Sequence, residues 1–165
     1  MTKQEQSSPN PVLAVLLACT IPGAGHFYLG RAKRGIIMFL TITALFWSGV
    51  GVGGVLTVDP QKERWWFAAQ MLTGINGVVA WQRQTKAYQT LAKAGGDSLE
   101  DRTVTAGIAL VGPAETVARA YSGVAGLLNL MCIFDALMLS VMGAPGEPQP
   151  QDDKPKGLAK KEAAN

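Results

Sequence analysis

Residues 31–58 read RAKRGIIMFLTITALFWSGVGVGGVLTV: three cations within four positions, then 24 residues from Gly35 to Val58 without a formal charge. A helix needs about 20 apolar residues to cross a hydrocarbon core of about 30 Å, so the stretch from Gly35 predicts a transmembrane helix flanked by a cationic anchor. The same deficit recurs outward from it. Residues 12–30, 36–58, 65–82 and 120–146 make up 87 positions and hold one of the chain's 27 charged side chains, Asp135. Charged residues are 16% of the 165-residue chain and hydrophobic ones 48%, against about 25% charged in ordinary soluble domains. This partition fits a small membrane protein and excludes a disordered chain, a coiled coil and a secreted disulfide scaffold.

Residues 1–10 are polar and read as a disordered N-terminal tail; residues 143–165, with four prolines and mixed charges, read as a disordered C-terminal one. Between them, 11–142 form the transmembrane helical domain, with segments at about 12–29, 35–58, 65–82 and 113–142. Pro11 suits the first helical position. The first segment is interrupted at Pro22-Gly23-Ala24-Gly25, and ten helical residues reach only about 15 Å, so a kinked span and a re-entrant hairpin are both open. Trp65-Trp66 and Trp81 bracket the third segment as two interfacial belts about 23 Å apart on a continuous helix. Gln70 and Asn76 within it are expected to face other helices. Arg83 to Ala94 reads as its surface extension, with Ala87, Tyr88, Leu91 and Ala94 as a weak apolar face. Asp97 to Arg102 reads as a polar connection, and Thr103 to Gly112 as a short strand-like or interfacial piece. The expected fold class is all-α: a small polytopic membrane helical bundle of three to four spans, the first hairpin kinked or re-entrant, with no internal repeat. Lys and Arg placement favours both termini outside, with Arg31 and Arg83 on one cytoplasmic side; a re-entrant first segment moves the N-terminus to the cytoplasmic face.

The most specific local pattern is Pro22-Gly23-Ala24-Gly25-His26-Phe27-Tyr28-Leu29-Gly30-Arg31, followed by Gly35. Glycines there allow a tight turn, and Phe27 with Tyr28 suits an interfacial anchor. Arg31, Lys33 and Arg34 read as topology determinants or as contacts to anionic lipid headgroups. The pattern resembles the signature of the two-transmembrane hairpin domain at Gly25, Phe27, Tyr28, Leu29, Gly30 and Gly35, over residues 12–58; His26 follows Gly25 directly, one position from the usual spacing. Ala120 to Leu130 and Asp135-Ala136 are similar to an uncharacterised bacterial family of such proteins with extra helices. Neither resemblance implies a known reaction.

Asp135 is the one charge well inside a predicted span, where insertion costs about 2.5–3.5 kcal/mol. The expectation is a carboxylate near the interface, protonated or hydrogen-bonded to His26, Tyr28 or Ser140; the functional alternative is a proton or cation site with Asn129 as a polar neighbour. Gly49 and Gly53 have the Gly-x-x-x-Gly spacing that lets another helix approach closely. Cys19 and Cys132 read as small hydrophobes, and the single histidine leaves no metal-ligand cluster. No cofactor, nucleic-acid motif or catalytic set is found. The sequence therefore points to a non-enzymatic, multi-pass protein of the cell membrane, in a bacterium the inner membrane. Its partners are the lipid bilayer and a homo-oligomer or another membrane protein, reached by helix packing. The alternative is a small transporter or channel component using Asp135 and His26.

Overall fold

A computed structural model of the chain describes residues 9–54, 57–58, 64–106 and 114–143. The expected tails 1–8 and 144–165 and the apolar stretch 107–112 lie outside the described residues, within which every regular element is helical. These are α1 (Pro11–Thr20), α2 (Ala24–Tyr28), α3 (Ala32–Gly53), α4 (Arg64–Met71), α5 (Ile75–Lys93), α6 (Leu99–Thr105) and α7 (Glu115–Val141).

Helix α1 starts on Pro11, with the Asn10 side chain accepting from the Val12 N–H at 3.0 Å. It stops at Thr20 because Pro22 has no N–H to return to the Ala18 carbonyl and biases Ile21 to extended backbone, where it sits at φ −132° and ψ 123°. Gly23, at φ +80° and with its Cα against the Gly35 backbone, then reverses the chain. The short α2 runs back until the Asn10 N–H donates to the Tyr28 hydroxyl at 3.1 Å. Start and finish of the 12–29 segment thus lie side by side. The segment is therefore folded back on itself rather than one continuous helix.

Helix α3 has 22 residues and α7 has 27, about 33 and 40 Å at about 1.5 Å per residue. They are antiparallel: Gly49 and Gly53 near one end of α3 meet Ala118 and Ser122 near the start of α7, while Arg34 at the other end comes within 4.0 Å of Asp135. The Gly49/Gly53 face, expected to let another helix approach closely, is packed by α7 of the same chain. A Cβ at Gly49 would sit 2.7 Å from the Ala118 carbonyl oxygen. Ala118, Ser122, Ala125, Asn129, Cys132 and Ala136, at helical spacing on α7, are all buried and form its inward face. Two helical stretches, Ala32–Gly53 and Thr116–Val141, are long and apolar enough to cross a membrane.

The continuous helix expected over 65–82 is instead two. Helix α4 descends along α7 from the Gly53 end, Trp66 against Gly123 and Ala69 against Gly126. The chain reverses at Leu72 to Gly74, with Gly74 at φ +64° pressed against the Cys19 and Thr20 carbonyls, where a Cβ would not fit. Helix α5 then climbs back, its Asn76 reaching Thr43 and Trp47 of α3 and its Trp81 ring 6.1 Å from Phe67 of α4. This reversal brings Trp81 to the level of α4 rather than to an opposite belt. The expected surface extension at 83–94 is the continuation of α5; its buried side is Asn76, Gly77, Ala80, Gln84, Ala87 and Leu91, with Tyr88 exposed. Ser98 caps α6, accepting from the Asp101 N–H at 3.1 Å, so the polar connection and Thr103 to Thr105 are helical rather than strand-like.

Arg31, Lys33 and Arg34 stand at the start of α3, whereas Arg83 and Lys86 stand beside Gly51 and Gly54 at its far end. The two cationic groups expected on one side are separated by the length of α3. The element order also repeats in outline: a short helix, a return helix and a long helix in 11–53, then again in 64–141 with α6 interposed, launched from opposite ends of the bundle.

Candidate functional site

Polar side chains inside this apolar bundle concentrate where the two hairpins meet the long helices. At the Arg31 end, the glycine turn of residues 23–35 holds them close. Gly25 lies against Ala14, Ala18 and Ala136, and Gly35 against the Phe27 ring. This packing puts His26, fully buried, with Nε2 2.8 Å from the Asp135 Oδ2. An ionised carboxylate only accepts, so in that state Nε2 carries the donated proton, and Nδ1 is left buried without a hydrogen-bond partner. Arg34 Nη1 stands 4.0 Å from the same carboxylate oxygen, the Asp135 side chain being 41% exposed. Asp135 thus sits between an interior imidazole and a surface guanidinium.

The other proposed partners of Asp135 are engaged elsewhere: the Tyr28 hydroxyl with Asn10, and Ser140 Oγ donating to the Pro9 carbonyl at 3.1 Å. Phe27 and Tyr28 are exposed near this end, Gly30 takes φ +75°, Lys33 and Arg34 are exposed, and Arg31 is buried.

Asn129 lies deeper and is fully buried. Its Nδ2 donates to the Ala18 carbonyl at 3.2 Å and to the Leu72 carbonyl at 2.8 Å, the first from the tip of α1 and the second just beyond α4. One amide therefore closes the carbonyl ends of two half-length helices that arrive from opposite ends of the bundle. It shares no contact with Asp135. Asn129 Oδ1 has no hydrogen-bond partner. Nearer the Gly53 end, Gln70 Nε2 donates to Ser122 Oγ at 2.7 Å, and Asn76 Oδ1 accepts from Trp47 Nε1 at 3.2 Å.

Sequence reading missed the roles of Ser122, Thr73 and Gln84, all buried. For Ser122 a signal existed: it precedes Asn129 by seven residues, two helical turns, and shares its small-residue face. Among the described residues no three His, Cys, Asp or Glu side chains come together as a metal-binding group, and Cys19 and Cys132 are free thiols.

Residues 13–149 match a family described as a family of unknown function, DUF6677. The uncharacterized protein MJ1516 of Methanocaldococcus jannaschii is 54% identical over 37 residues, 22% of this chain. The match spans 37% of that relative's length. No solved structure matches.

Proposed function

Because the chain belongs to DUF6677, a family of unknown function, its own geometry must carry the reading, and we propose a non-enzymatic integral membrane protein with two crossing helices and two half-membrane hairpins. Helices α3 and α7 cross; α1–α2 and α4–α5 enter from opposite faces and meet between them. The observation that carries this is the Asn129 junction. Irregular backbone is tolerated at membrane depth only where protein surrounds it, and the Ala18 and Leu72 carbonyls are both met by the Asn129 amide.

In this reading the protein resides in a cell membrane, in a bacterium the inner one, and acts by packing with a second copy or another membrane protein. Residues 23–35 act as a two-transmembrane-hairpin-like turn whose first helix stops halfway. Arg31, Lys33 and Arg34 anchor the headgroup level and set topology. Since Gly49 and Gly53 are filled from within, the outer row of α7, Tyr121, Val124, Leu128, Met131 and Met138, is the partner face; all five are exposed. Two measurements test the reading. The protein should stay with membranes through alkaline carbonate extraction, and Met131→Cys should crosslink to a partner; release by carbonate, or no adduct across the whole row, refutes it.

A second reading, a small transporter or channel component, draws on the His26–Asp135 pair at 2.8 Å. Unchanged proton and cation flux in proteoliposomes of Asp135→Asn and His26→Ala, both inserted normally, would dispose of it.

A further inference from the structure

Between the far half of α3 and the outward half of α5 lies an open cavity of about 680 Å³, lined by Trp47, Val50, Gly51, Ala80, Arg83 and Lys86 among others. Pockets that bind small molecules span about 300–1,000 Å³. The Trp47 wall is fixed: its Nε1 is held by Asn76, Phe46 packs edge-on at 5.8 Å, and the Arg83 guanidinium stacks 5.4 Å from its ring centroid. The α3 wall is open at Gly51, where an added Cβ would meet nothing within 4 Å.

On α5 the charge is one-sided. From Arg64 to Gly96 the sequence holds no Asp or Glu and four cations, Arg64, Arg83, Lys86 and Lys93. Among the described residues no carboxylate comes within ion-pair distance of Arg83 or Lys86. Two cations with no carboxylate partner among the described residues, beside an apolar trough, select an amphiphile with an anionic head. A small soluble anion would leave the half-buried Trp47 and Val50 beside the cations uncovered.

We propose that this cavity binds one anionic glycerophospholipid. Its phosphate lies against Arg83 and Lys86, and its glycerol and first acyl carbons lie along Trp47, Val50 and Ala87. The site is at the opposite end of α3 from Arg31, Lys33 and Arg34. It rests on the membrane reading above, since its height on α3 is the headgroup level only if α3 crosses.

The test is native mass spectrometry of the full chain in detergent, titrated with phosphatidylglycerol, phosphatidylcholine or inorganic phosphate. Phosphatidylglycerol should be retained in preference to phosphatidylcholine, with millimolar phosphate failing to displace it. The Arg83→Gln/Lys86→Gln double variant should lose roughly 30-fold of that preference, the headgroup attraction of two cations. Gly51→Leu, which fills the trough and leaves both charges, should block retention on its own, so the test does not depend on the double variant folding. Equal retention of the two lipids, displacement by phosphate, or unchanged binding in Gly51→Leu overturns the proposal. A parallel carbonate extraction separates the two failures: a protein that stays in membranes without lipid preference sinks the site alone, and one that is released sinks the membrane reading.

Discussion

Asn129→Ala should destabilise the fold by about 3 kcal/mol, more than its two hydrogen bonds would suggest. Interhelical side-chain bonds in membrane proteins average about 0.6 kcal/mol, with a maximum near 1.7, so the bonds to Ala18 and Leu72 alone predict a little over 1 kcal/mol. The carbonyls left behind raise the cost. Ala18 O cannot be met by the residue four ahead, because that residue is Pro22; beyond Asn129, neither carbonyl has a described partner outside regular helix bonding. A buried orphaned polar group costs about 1–3 kcal/mol, and two such groups at the low end of that range bring the sum to about 3. The assay is equilibrium unfolding by sodium dodecyl sulfate in a mild detergent, followed by fluorescence of the four tryptophans. Asn129→Asp, which keeps the shape but replaces the two-proton donor by a carboxyl, should fall at least as far as Asn129→Ala. Leu127→Ala, two residues away, exposed and outside the partner row, should stay within about 0.5 kcal/mol of the parent. A loss below about 1 kcal/mol for Asn129→Ala would mean the two tips find other partners and that Asn129 does not join them.

Gly49→Leu must push α7 away from α3, since its Cβ alone falls 2.7 Å from the Ala118 carbonyl oxygen; a loss of about 3 kcal/mol is expected from the same titration, with oligomeric state on gel filtration unchanged. A dimer that dissociates while the monomer keeps its stability would return Gly49 to an intermolecular role. His26→Ala removes the 2.8 Å partner of Asp135 and opens a cavity at a fully buried position, so a loss of about 2–3 kcal/mol is expected; a stability equal to the parent's would show the pair to be incidental. In a chain with Cys19 and Cys132 replaced by Ala, cysteines at Asn10 and Met142 should react with an impermeant maleimide from the same side and one at Thr90 from the other. Labelling of Asn10 and Thr90 from one side contradicts the two-hairpin topology.

Where the sequence carried its own punctuation, the fold was legible. Pro22-Gly23 marked the end of α1 because proline removes a donor whatever surrounds it, and the uncharged runs marked α3 and α7 through length alone. The break at Gly74 was not legible. Met71-Leu72-Thr73-Gly74-Ile75 contains no proline, and a lone glycine in an apolar run is tolerated by helices; what reverses the chain there is the tip of α1, more than 50 residues away. The site divided in the same way. His26 and Asp135 drew notice as rare ionisable groups, and their pairing was one of three that the spacing allowed. That Asn129 serves two backbone carbonyls rather than Asp135 depends on which helix tips arrive beside it, and no periodicity within α7 encodes that.

The α1–α2 hairpin is made first, but its principal polar partners are made last. Asn129 meets Ala18 across 111 residues, Asp135 meets His26 across 109, and Ser140 meets Pro9 across 131. During synthesis, then, the broken first segment must wait with unpaired backbone at the Pro22 turn until α7 has been made. A hydrogen bond cannot be anticipated by a partner not yet translated. The half-helix stays open until then, and α7 acts as the bolt that ends the wait.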